Sequence, residues 1–70
     1  MLEIIKEYKF KLGGSVCRFS EGDSLKVKTN DEIIQGTLTS VEPDGEYFRL
    51  DCGDESVKIY CNKVIDIMPI

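Results

Sequence analysis

From Ser24 onward the chain alternates apolar and polar positions with the period of a sheet that has one dry face. Leu25, Val27 and Thr29 alternate with Lys26 and Lys28, which predicts a strand over Ser24–Thr29. Asn30-Asp31-Glu32 is a polar turn, and Ile33 to Val41 is a second, longer strand interrupted by Gly36. The missing Cβ of a glycine inside a strand permits a sharp bend, so a structural bend is predicted at Gly36. Pro43-Asp44-Gly45 is the strongest turn signal in the chain, because Pro presets φ, Asp bonds locally and Gly supplies positive φ. Tyr47 to Asp51 follows as a strand, with Phe48 and Leu50 on the face that points to the core. After the Cys52-Gly53-Asp54-Glu55 turn, Val57, Ile59 and Cys61 alternate with Lys58 and Tyr60. Only Asn62-Lys63 precedes the last strand, Val64 to Met68. Lys fits poorly in the second position of a two-residue hairpin loop, so a single helical turn is expected at that corner.

The first nineteen residues admit two readings. On a helical wheel Leu2, Ile5, Tyr8 and Leu12 share a face with Ile4, but Phe10 falls outside it. Read by twos, Leu2, Ile4, Tyr8, Phe10 and Leu12 are apolar, with Lys6 the exception, and Glu3, Glu7, Lys9 and Lys11 alternate with them. Gly13-Gly14, followed by Val16, Cys17, Arg18 and Phe19, favours the second reading as a two-residue hairpin loop. The expected register pairs Leu12 with Ser15, Phe10 with Cys17 and Tyr8 with Phe19 on one face, and Lys9 with Arg18 on the other. An N-terminal helix is the alternative.

Five short strands spaced about ten residues apart, with a bent second strand and a tight corner before the last, describe a small, partly open barrel. The expected fold class is all-β: an SH3-like five-stranded barrel over 24–68, preceded by an N-terminal β-hairpin over 1–19, in one domain. Within that class residues 24–68 resemble the Sm-like family. Gly36-Thr37-Leu38, Val41-Glu42 and the Pro43-Asp44-Gly45 turn stand in the order of that family's first motif. Ile59-Tyr60-Cys61-Asn62-Lys63-Val64, with Ile67 after it, falls on the second, an Ile-Arg-Gly-x-x-Ile pattern. The resemblance implies an RNA-binding subunit of a homo-oligomeric ring. Tyr60 stands where the family has its RNA-contacting Arg, Cys61 where it has Gly, and Glu42 where it has Asp. The departures therefore fall on the ligand-holding positions, and the resemblance speaks for fold more than for ligand.

Composition narrows the chemistry. A chain of 70 residues buries only about 60% of the surface its unfolded form exposes, so a partner or ligand is a natural stabiliser. No apolar run approaches the roughly 20 residues of a spanning helix, which predicts a soluble, cytoplasmic protein with no membrane role. Cys17, Cys52 and Cys61 are an odd, widely spaced set with no C-x-x-C and no His, so reduced core thiols are expected and no metal or cofactor. Phosphate-loop and nucleophile-elbow patterns are missing as well, and Asp31-Glu32 and Asp54-Glu55 read as solvated turn residues. An enzyme is not expected. The formal net charge is −4, with four cations against two acids in residues 1–19 and five against eleven from Ser20 onward. That acidic majority argues against tight non-specific nucleic-acid binding, which depends on neutralising many phosphates at once, and leaves room for a small local site.

Three features remain as candidates for binding. Tyr47 and Arg49 share one strand face, as do Lys58 and Tyr60, so aromatic and cationic groups are predicted together on an outer surface. Lys9 opposite Arg18, with Lys11 two residues along, forms a second cationic group, which Glu7 or a phosphate or acidic partner would relieve. Strand edges are the third, open to a protein partner or to self-association. Near the C-terminus Ile65 and Ile67 are expected in the core. The sequence thus predicts a non-enzymatic binding or assembly module, protein-binding or regulatory, with a Sm-like RNA-binding ring as the alternative.

Overall fold

The computed structural model describes residues 2–6 and 8–70, with only the backbone of Ile5 and Lys6. The described residues form eight strands: β1 (Leu2–Lys6), β2 (Lys9–Leu12), β3 (Ser15–Arg18), β4 (Ser24–Thr29), β5 (Ile33–Val41), β6 (Tyr47–Asp51), β7 (Ser56–Tyr60) and β8 (Val64–Pro69). A 3-10 turn over Cys61–Lys63 joins β7 to β8. The strands make two antiparallel sheets, β1-β2-β3 and β7-β6-β5-β4-β8.

The larger sheet follows the alternation in the sequence. Leu25 and Val27 of β4, Leu38 of β5, Phe48 and Leu50 of β6 and Ile59 of β7 are all buried on its inner face. Each turn has its own chemistry. Thr29 Oγ1 accepts from the amides of Asp31 and Glu32 at 3.3 and 3.2 Å and so closes the β4–β5 turn. The Gly45 amide donates to the Glu42 carbonyl at 2.9 Å, and Gly45 takes φ 78°. At the β6–β7 turn the Gly53 amide donates to Asp51 Oδ1 at 3.0 Å, with Gly53 at φ 95°. Between β7 and β8 the expected helical turn is present. It takes up Cys61, which the alternation had assigned to the strand, and the Cys61 amide donates to the Glu46 carbonyl at 3.0 Å.

The N-terminal residues form a sheet, and the helix alternative is not supported. Lys9 pairs with Arg18, Phe10 with Cys17 and Leu12 with Ser15, the register expected of a Gly13-Gly14 loop. Gly13 has φ 60°, the positive φ that a type II′ turn places at its first loop residue. The single hairpin, however, is in fact three strands. The chain reverses before β2, where Tyr8 takes φ 58°, and β1 folds back on β2 so that Leu2 pairs with Leu12 and Ile4 with Phe10. Tyr8 is thereby displaced from strand pairing, although its carbonyl still accepts the Phe19 amide at 2.9 Å.

Phe10 joins the two sheets. Its ring meets Phe19 edge-on at 5.4 Å between centroids and Phe48 edge-on at 5.2 Å, and all three are buried. Leu2 enters the same cluster, which also holds Cys61, Val64 and Ile67.

One expectation about strand detail needs correction. Thr29 pairs with Val64 and Lys28 with Asp66, so Ile65 is the extra residue of a bulge. Val64 therefore takes the inward position, and Ile65 is 50% exposed, not in the core; Ile67 is buried as expected. In β5 the register irregularity lies between Leu38 and Ser40, at Thr39, whose hydroxyl donates to the Arg49 carbonyl at 3.3 Å. Gly36 meets a steric demand of its own. A Cβ there would lie 2.7 Å from the Asp51 carbonyl oxygen and 3.1 Å from Leu50 Cβ, so the missing side chain is what lets β6 approach.

Candidate binding surface on strands six and seven

Alternation along β6 and β7 sends Phe48, Leu50 and Ile59 inward, and the antiparallel register then brings Tyr47 opposite Tyr60 and Arg49 opposite Lys58 on the outer face. The four residues singled out from the sequence thus form one cluster. The Tyr47 and Tyr60 rings lie 5.6 Å apart at 60°. Lys58 Nζ stands 4.5 Å from the Tyr47 centroid and 5.6 Å from that of Tyr60, and the Arg49 guanidinium lies 5.7 Å from Tyr47. Tyr47 and Arg49 are half-buried, whereas Lys58 and Tyr60 are exposed. Directly opposed like charges on a sheet cost a few tenths to about 1 kcal/mol. The Tyr47 ring face offsets part of that, since an exposed cation–π contact is worth about 0.5–1 kcal/mol. An anion or a carboxylate side chain set between the two cations would offset the rest.

The second cationic group also forms. Lys9 and Arg18 are cross-strand partners on the outer face of β2–β3, with Lys9 half-buried and Arg18 exposed. Lys11 differs, because β1 places Glu3 directly opposite it. The relief the sequence reading assigned to Glu7 falls outside the described residues.

Two clefts flank Tyr60. The larger, about 530 Å³, lies where β1 meets the β5–β6 turn and the 3-10 turn; Leu2, Ile4 and Tyr60 line it with Glu3, Asp44 and Glu46. Sequence reasoning missed it, since residues 2–4 and 44–46 meet only through the fold. Its one local signal is Gly45, where a Cβ would lie 3.3 Å from the Ile4 carbonyl oxygen. The smaller, about 290 Å³, runs between β7 and the β4–β5 turn, with Ile34, Val57 and Ile59 alongside Asp31, Glu32 and Lys63.

Among the described residues no group of three or more His, Cys, Asp or Glu could hold a metal ion. The three thiols are free; burial pushes the Cys61 thiol above its ordinary pKa, and burial followed by Glu55 and Asp51 does the same at Cys52. Neither carries the depressed pKa of an activated nucleophile. No described helix is long and apolar enough to cross a membrane. No family model, curated protein or solved structure matches this chain.

Proposed function

We propose that this chain is a non-catalytic binding or assembly module, with a protein partner, built on a small SH3-like barrel. The strand order supports the barrel reading, since β8 returns to pair with β4 and leaves β7 at the opposite edge. One observation carries the functional reading: Tyr47, Tyr60, Arg49 and Lys58 stand together on an outward face, two cations directly opposed beside two aromatic rings. Tyr and Arg are enriched at protein contact surfaces, where they give large contact area and directional hydrogen bonds. The same side chains can stack bases, which keeps the Sm-like RNA reading as the alternative. Against RNA stand the acidic balance of the chain, which opposes the neutralisation of many phosphates, and Tyr60 in place of the family's Arg.

Site-specific photocrosslinking separates the two. p-Benzoylphenylalanine in place of Tyr60, compared with the same group in place of Val16 on the other sheet, is irradiated in cells that make the protein. A protein adduct from position 60 that is missing from position 16 is the expected result. An adduct to RNA from position 60, or none, would contradict the proposal.

A further inference from the structure

The two outer edges of the five-stranded sheet differ in what their backbones offer. In an antiparallel ladder, residues alternate between bonding to one neighbour and pointing to the other side. For β8 the alternation is fixed by the Ile70 amide, which donates to the Ser24 carbonyl at 3.0 Å. In that register Met68 and Asp66 also face β4, while Ile67 and Pro69 point to the free edge. Pro69 has no amide hydrogen, and the Ile67 amide is already taken by Asp66 Oδ1 at 2.9 Å. The β8 edge is therefore short of donors, a recognised way in which sheets resist edge-to-edge pairing.

The β7 edge carries no such block. The bonds Cys52 amide to Glu55 carbonyl and Cys61 amide to Glu46 carbonyl, at 2.9 and 3.0 Å, fix the parity of the β6–β7 ladder. Val57 and Ile59 face β6, so the amides of Ser56, Lys58 and Tyr60 point away from it. No described side chain caps these three amides. Along this edge lies the smaller cleft, with Ile34, Val57 and Ile59 on its apolar side. On the outer face the same residues present Lys58, backed by Arg49, and Tyr60.

We infer that the β7 edge accepts an extended peptide segment that alternates acidic and apolar residues. The added strand bonds to the Ser56, Lys58 and Tyr60 amides. Its apolar side chains enter the cleft beside Ile34, Val57 and Ile59, and its carboxylates lie on the outer face next to Lys58, where they relieve the opposed Lys58 and Arg49 charges. Strand addition draws affinity from the backbone and selectivity from alternate side chains, which is the division this edge offers. A second copy fits less well, because its β8 lacks the donors and its β7, paired antiparallel in the centred register, would set Lys58 against Lys58. This inference rests on the module reading above and names its partner chemistry.

The test uses the full-length, isotope-labelled protein and three synthetic hexapeptides: alternating valine and glutamate, alternating valine and lysine, and the glutamate peptide N-methylated at alternate amides. Titration followed by amide NMR should give the glutamate peptide at least tenfold tighter binding than either control. The largest shifts and the newly slowed hydrogen exchange should fall at Ser56, Lys58 and Tyr60. Lys58→Glu, an exposed substitution, should reverse the preference between glutamate and lysine peptides. Equal binding of all three peptides, no binding at millimolar concentration, or protection of the same amides by oligouridine in place of peptide would overturn the inference. A protein adduct from position 60 without peptide binding would sink the edge assignment alone, whereas failure of both would remove the module reading too.

Discussion

Gly36 shows how a single position ties sequence to packing. Its place inside a strand was readable, but the reason for it was not, because the atoms that forbid a side chain belong to Asp51, Cys52 and Leu50. A Cβ 2.7 Å from the Asp51 carbonyl oxygen meets backbone, and backbone yields only by moving β6. Gly36→Val is therefore expected to destabilise by about 1–3 kcal/mol, the usual cost of forced overpacking. Urea unfolding reads this as a lower midpoint at unchanged slope. An unchanged midpoint would show that β6 approaches less closely than described. Tyr8 is the opposite case. An aromatic residue at φ 58° gives no sign in the sequence, where such a reversal is ordinarily marked by Gly or Asn. Its hydroxyl donates to Glu21 Oε2 at 3.0 Å, a contact across thirteen residues that no local pattern announces.

Among the elements, legibility followed the strength of local turn chemistry. Where Gly13-Gly14, Asn30-Asp31-Glu32 and Pro43-Asp44-Gly45 mark the reversals, the strands and the β2–β3 register match the expected ones. Where the reversal rests on Tyr8, β1 was merged with β2. The β8 bulge is equally silent: Ile65 and Ile67 look equivalent by period, and only the pairing of Val64 with Thr29 separates them. In the binding surface, alternation alone put Tyr47 with Arg49 and Lys58 with Tyr60. Their meeting across the ladder needed only the short β6–β7 turn.

Phe10, buried between Phe19 and Phe48, is one of the side chains that hold the three-stranded sheet to the rest, with Leu2 in the same cluster. Phe10→Ala removes both edge contacts and leaves a cavity, at about 3–5 kcal/mol. Domains have about 0.05–0.15 kcal/mol of stability per residue, so this loss is a third or more of the roughly 4–10 kcal/mol a chain of 70 residues is expected to have. Thermal unfolding of the variant should show a transition lowered by more than about 10 °C. A transition within a few degrees of the wild type would mean that the two sheets are stable independently.

At the scale of the whole molecule, charge, clefts and strand edges divide the surface into unlike parts. Acids line the larger cleft, cations oppose one another on β6–β7 and again on β2–β3, and of the two outer edges of the large sheet β7 has its amides open while β8 does not. An asymmetric pair of edges favours a single module that engages a partner over a closed ring of identical copies, because a ring would pair each β7 with a neighbour's β8. Mass in solution by light scattering across a dilution series tests this central claim most directly. A monomer of 7.9 kDa is expected at every concentration. A stable species of six or seven chains, unchanged on dilution, would contradict it and return the chain to the ring reading.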